Sequence, residues 1–156
     1  MPSALVTGAT GLVGTHLIQR LRADGWAVRA LVRDAARAGA LSRQNVVLAT
    51  GDTLDPTGFA LAARGCEVIF HAAAAVTPRG GWEAFSRPNV EGTRNAIAAA
   101  ASAKARLVHV SSVAVYGSAE RYASGVTSEE SPLANIAPQS FYARSKRESE
   151  TLVMEA

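Results

Sequence analysis

Thr7-Gly8-Ala9-Thr10-Gly11-Leu12-Val13-Gly14 sets three glycines at three-residue intervals between two different hydrophobic patterns. Before it, residues 3–7 form a short apolar run; after it, Leu12, Val13, Leu17 and Leu21 recur at helical spacing up to Asp24 and Gly25. The stretch reads as strand, tight turn, helix. Gly8 permits the turn, Gly11 lets the backbone approach a pyrophosphate that a Cβ would obstruct, and Gly14 lets the helix lie close on the sheet. The start of such a helix offers unpaired N–H groups and partial positive charge to phosphates. Glycines also mark ordinary turns, but a strand before them and an amphipathic helix after them favour dinucleotide binding.

Working outward, further strands are predicted over 27–32, 46–50, 67–71 and 106–111, and helices over 58–63, 82–103 and 141–156. A polar, arginine-bearing crossover joins the second and third strands, and residues 117–139 read as a long loop. Apolar strands alternating with helices imply a parallel sheet covered on both faces. Right-handed crossovers then leave the strand order 3-2-1-4-5, an α/β Rossmann-type doubly wound sheet.

A chain of 156 residues, 48% hydrophobic and 19% charged, suits a single domain. At this size folding buries about 68–70% of the unfolded surface, so no disulfide or structural metal is required. Cys66 is the lone cysteine and reads as an inert residue near a strand start, in keeping with a reducing, cytoplasmic setting. The N-terminal residues do not resemble a signal peptide, and no apolar run approaches eighteen residues, so no membrane partner is expected. The net charge of +3 comes from scattered bases without interleaved aromatics, which argues against nucleic acid. The densest basic group, Arg144, Lys146 and Arg147, is assigned to catalysis and helix solvation.

Tyr142 and Lys146 stand four residues apart, on one face of a helix. A free phenol titrates near about 10, so a tyrosine base at neutrality needs roughly three units of depression. A neighbouring ammonium supplies part of it by favouring phenolate. A phenol and an amine at this spacing are commonly only a half-buried aromatic beside a solvated charge. Here, however, a predicted central strand over 107–111 delivers Ser111 and Ser112 to the carboxyl edge of the sheet, where ligands of open α/β sheets bind. A serine there can polarise a substrate oxygen while Tyr142 moves the proton. The second strand reaches Arg33 without the carboxylate that would accept from the ribose of NAD, and a guanidinium there can fork onto a 2′-phosphate. NADP(H) is therefore favoured over NAD(H), although Asp34 could turn inward or pair with Arg33.

These residues resemble the extended short-chain dehydrogenase/reductase family, the epimerase/dehydratase group. The likeness extends to Gly51-Asp52, His71-Ala72-Ala73-Ala74, Asn89-Val90-Glu91-Gly92-Thr93-Arg94-Asn95 and Ser111-Ser112-Val113-Ala114-Val115-Tyr116-Gly117. The resemblance implies a catalytic set of Ser112, Tyr142 and Lys146, with Ser111 as the second choice of serine. It implies cofactor contacts at Gly8, Thr10, Gly11, Leu12, Val13, Gly14, Arg33, Asp52, Thr53, Ala72, Ala73, Ala75, Asn89, Ser111, Tyr142 and Lys146. Asp52 would meet the adenine, unless it is only a turn former; Asn89 would brace the cofactor-side strand ends. His16, His71 and His109 are read as structural, and no Cys/His spacing suggests a metal.

The activity implied is hydride transfer between nicotinamide and a secondary alcohol or ketone, with a nucleotide-sugar epimerase or dehydratase retaining NAD as the alternative. A non-catalytic dinucleotide sensor is the alternative from another class. The substrate is a small molecule, either a sugar nucleotide or a hydroxy or keto compound, and the family resemblance implies a homodimer built on the 82–103 and Tyr142 helices. Members of the family usually run to about twice this length. Residues 1–156 are accordingly expected to be an incomplete dinucleotide-binding domain, truncated before the last strands and the substrate domain, that alone binds cofactor weakly.

Overall fold

The computed structural model describes residues 1–42, 44–77, 79–117 and 128–156. Five parallel strands, β1 (Ser3–Thr7), β2 (Ala27–Val32), β3 (Val47–Thr50), β4 (Val68–His71) and β5 (Arg106–His109), lie in the order β3-β2-β1-β4-β5. The register brings Thr7 beside His71 and His71 beside His109, so the carboxyl ends of β1, β4 and β5 finish level.

Side-chain alternation along β1 splits the core between two faces. Ala4 and Val6 pack with Ile18 and Leu21 of α1 (Leu12–Ala23) and with Leu41 of the short α2 (Gly39–Ser42). Leu5 and Ile69 face the other way, against Phe59 of α3 (Pro56–Ala63) and Ala96, Ala99 and Ala100 of α5 (Gly92–Ala103). The alanine stripe of α5 lets that helix approach α3 and the sheet closely. The helix α3 starts two residues before the predicted position because Asp55 caps it, accepting from Thr57 N at 3.1 Å, and Pro56 fits the first turn.

The predicted single helix over 82–103 is instead three contiguous pieces: α4 (Trp82–Ser86), a π-helical segment (Arg87–Glu91), and α5. Pro88 explains the break, since it lacks an N–H and its ring crowds the preceding turn. The fifth strand ends at His109, not at 111, and among the described strands it is an edge rather than central. A 3-10 turn (Val113–Tyr116) follows it. Of the predicted loop, residues 118–127 lie outside the described residues; 128–139 contain no helix or strand. The last helix, α6 (Phe141–Met154), stops two residues short of the final residue.

Candidate active site

The turn after β1 takes its shape from glycine. Gly8 has φ +65°, and a Cβ on it would stand 2.7 Å from the Ala72 carbonyl. A Cβ on Gly14 would fall 2.2 Å from the Gly8 oxygen, so α1 can lie this close only with glycine there. Gly11 donates to Gly8 O at 2.9 Å, closing the turn. No side chain caps α1, which leaves its first-turn N–H groups free to meet a ligand. Leu12 and Val13 are 79% and 52% exposed, unusual for large apolar residues at the mouth of a sheet crevice.

Against the turn runs the alanine strip 72–75, held by two polar residues that are themselves buried. Thr7 Oγ1 accepts from Ala73 N at 3.2 Å and meets His71 Nδ1 at 2.8 Å. Asn89, carried on the π-helical segment, accepts from Ala75 N at 2.7 Å and donates to Ala75 O at 3.0 Å and to Ser145 Oγ at 2.9 Å. That side chain therefore ties the strip to α6, the helix of Tyr142 and Lys146. The bond from Asn89 to Ser145 carries no sequence signal.

Just past β3, Asp52 Oδ1 accepts from Leu54 N at 2.9 Å, as a turn-forming aspartate does, and Thr53 O accepts from Asn95 Nδ2 at 2.8 Å. Arg33 is exposed just past β2. Asp34 does not pair with it: its carboxylate accepts from Ala36 N and lies 3.4 Å from Arg37 Nε. Arg33 thus makes no ion pair among the described residues.

The amine of Lys146 is buried at the end of β5. The residue is 2% exposed, and Nζ donates to Val110 O at 2.7 Å and to His109 Nε2 at 3.2 Å. Burial pushes its pKa down to about 8, with Glu150 pulling the other way. Tyr142 lies one turn earlier on α6, half-buried, and its phenol makes no hydrogen bond among the described residues. Ser112 caps the 3-10 turn by accepting from Ala114 N at 3.2 Å. Ser111 Oγ instead donates to Glu150 Oε2, which engages it and leaves Ser112 the better candidate.

The neighbouring arginines do not simply solvate the helix, as their density suggested. Arg147 Nε donates to Val115 O at 2.7 Å and its Nη2 to Ala134 O at 2.7 Å, sewing α6 to the serine turn. Arg144 donates to Pro138 O at 2.8 Å and stacks 4.5 Å over the Trp82 ring. Cys66 is buried, and burial raises its thiol pKa against the pull of Arg29, as an inert position requires. Sequence reasoning missed His109, whose isolated imidazole carries no motif yet stands against Lys146.

The glycine turn, the braced strip and the buried amine have the arrangement of one known family, whose profile matches residues 4–156 under the description NAD dependent epimerase/dehydratase family. The chain belongs to that family. It is 40% identical over 109 residues to a ceramide reductase of Caulobacter vibrioides, covering 70% of this chain and 34% of that protein. It is 38% identical to a farnesyl-dihydroquinoline-oxide ketoreductase of Stigmatella aurantiaca, covering 97% of this chain and 45% of that one. Among solved structures, a dTDP-glucose 4,6-dehydratase double mutant of Streptomyces venezuelae with NAD bound superposes at a TM-score of 0.81 with 32% identity, over 97% of this chain and 50% of its own. The chain thus spans half or less of the length of these relatives. Among its described residues no helix is long and apolar enough to cross a membrane, and no three or more His, Cys, Asp or Glu side chains gather as a metal site would need.

Proposed function

We propose that this chain provides the dinucleotide site and proton-transfer residues of a cytoplasmic oxidoreductase that reduces a small ketone, or oxidises the matching secondary alcohol, with NADP(H) preferred. The carrying observation is the position of Lys146: its ammonium is fixed 2.7 Å from Val110 O, two residues before Ser112 and one helical turn after Tyr142. The residues fit the cofactor. Gly8 and Gly14 make a turn that a Cβ would fill, the uncapped start of α1 offers amides to a diphosphate, and Arg33, without an ion-pair partner among the described residues, is exposed for a 2′-phosphate.

When bound, the nicotinamide supplies or accepts the hydride at the carbinol carbon. Tyr142 gives the proton to the substrate oxygen in reduction and takes it in oxidation, while the Ser112 hydroxyl donates a hydrogen bond to that oxygen. Lys146 spends two of its three N–H donors on Val110 O and His109 Nε2 and leaves one for the cofactor ribose. The names of the ketoreductase and ceramide reductase relatives support reduction. The likeness to the sugar-nucleotide dehydratase supports a second reading, in which an NAD cofactor returns to its starting redox state. Stoichiometry separates the two: a reductase consumes one NADPH per product, an epimerase or dehydratase none. In either case a homodimer through α4, α5 and α6 is proposed.

The test is Tyr142→Phe in the full-length enzyme. Turnover should fall by about 10²–10⁴-fold, the usual worth of a positioned general acid, with cofactor affinity retained. Retained turnover would refute the role given to Tyr142; absence of any turnover in the unaltered enzyme, with dinucleotide still bound, would leave a dinucleotide sensor. Arg33→Asp should reverse the preference for NADP(H); a variant that still prefers it would remove Arg33 from the site.

A further inference from the structure

His109 Nε2 lies 3.2 Å from Lys146 Nζ and 3.5 Å from Ser149 Oγ, and the Ser149 hydroxyl already donates to Lys146 O at 2.9 Å. An ammonium can only donate. Nε2 is therefore the acceptor, and the ring proton resides on Nδ1, which has no partner among the described residues. A buried N–H left unpaired is a cost that needs an explanation. Here it follows from the only neutral tautomer able to accept from Lys146.

The far face of the ring is closed by His71, stacked with centroids 5.6 Å apart and planes at 29°. The charged or titratable groups facing His109 are thus His71 from β4 and Lys146 from α6, with Glu150 acting on Lys146 from the same helix. Burial, then Lys146, holds the His109 pKa down to about 4, so the ring stays a neutral acceptor over the whole range in which an enzyme works. A carboxylate in its place would neutralise the ammonium; an apolar residue would leave it on one carbonyl. A neutral imidazole holds the charge without cancelling it.

We propose that His109 is a positioning residue that holds the ammonium of Lys146 at the end of β5 and so fixes where that charge stands relative to the Tyr142 phenol. The catalytic consequence rests on the oxidoreductase reading above; the positioning itself does not.

The chain has two lysines, Lys146 and the exposed Lys104, so labelling lysine Cε with ¹³C gives two signals whose titrations can be followed separately. In the unaltered chain Lys146 should titrate near about 8. His109→Phe keeps a ring against His71 but removes the acceptor, and the Lys146 titration should drop below that value. His109→Gln restores an acceptor and should bring it back. An unchanged titration in His109→Phe would overturn the proposal. So would a rise toward the ordinary lysine value in both variants, because loosened packing rehydrates the amine and moves it the opposite way. If the titrations move as expected while Tyr142→Phe keeps full turnover, His109 positions Lys146 in a protein that is not this kind of oxidoreductase.

Discussion

Single residues at the crevice carry charge states that burial has shifted, and those shifts have consequences for stability. His71 is 1% exposed, and burial, then His109, then Lys146 push its pKa down to about 3. The unfolded chain binds a proton at His71 below pH 6.5 or so, whereas the folded chain does not until about 3. Between those values the unfolded state holds more protons, so stability falls as pH falls, by about 1.4 kcal/mol per pH unit from this one group. His109, less deeply buried, adds to the slope above about 4. Denaturant unfolding measured from pH 7 down to 4.5 should show this loss, and His71→Gln should flatten it; a flat profile in the unaltered chain would mean that the imidazoles are not held neutral. Tyr142 and Lys146 were legible as neighbours on one helix, because a helix places residues four apart on one face. His109 was not, since its partner lies 37 residues away and only the packing of α6 across β5 brings the two together.

Among the elements, the turn from β1 into α1 has the most demanding geometry, and it was the most readable. An alanine in a helix interior is favoured over glycine by about 1 kcal/mol on propensity. At Gly14 the added Cβ would meet the Gly8 carbonyl at 2.2 Å, and overpacking of that kind costs about 1–3 kcal/mol or more. The clash wins, so Gly14→Ala should lower the melting temperature by several degrees and disturb the phosphate turn. Gly39→Ala, where nothing lies within 4 Å, should leave it unchanged or raise it. Equal melting temperatures for the two variants would mean that α1 does not lie this close to the turn. Element boundaries were less legible where one residue overrides a period. Pro88 sits inside an otherwise continuous helical pattern, and the backbone answers with a π-helical segment that points Asn89 at the alanine strip. The fifth strand stops at His109 because Val110 O is given to Lys146 and the chain must turn at Ser112 into a 3-10 turn.

For the whole molecule, the strand order followed from the alternation of strands and helices together with the handedness of crossovers, and β3-β2-β1-β4-β5 is the result. The order places the phosphate turn after the middle strand, where the direction of strand addition reverses, and the crevice of such sheets opens there. Nothing in the hydrophobic pattern reports the side-chain ties that converge on this edge: Thr7 to the strip, Asn89 to α6, Arg147 to the serine turn. The central claim is that one crevice joins the glycine turn to the buried lysine. It is tested most directly by titrating the ¹⁵N-labelled, lysine-¹³C-labelled chain with NADP⁺ and following the amides of Gly8, Gly11 and Gly14 together with the Lys146 Cε signal. Binding is expected to be weak and to move all four signals with a single dissociation constant. Movement confined to other surfaces, or a Lys146 signal that stays still while the glycines saturate, would contradict it.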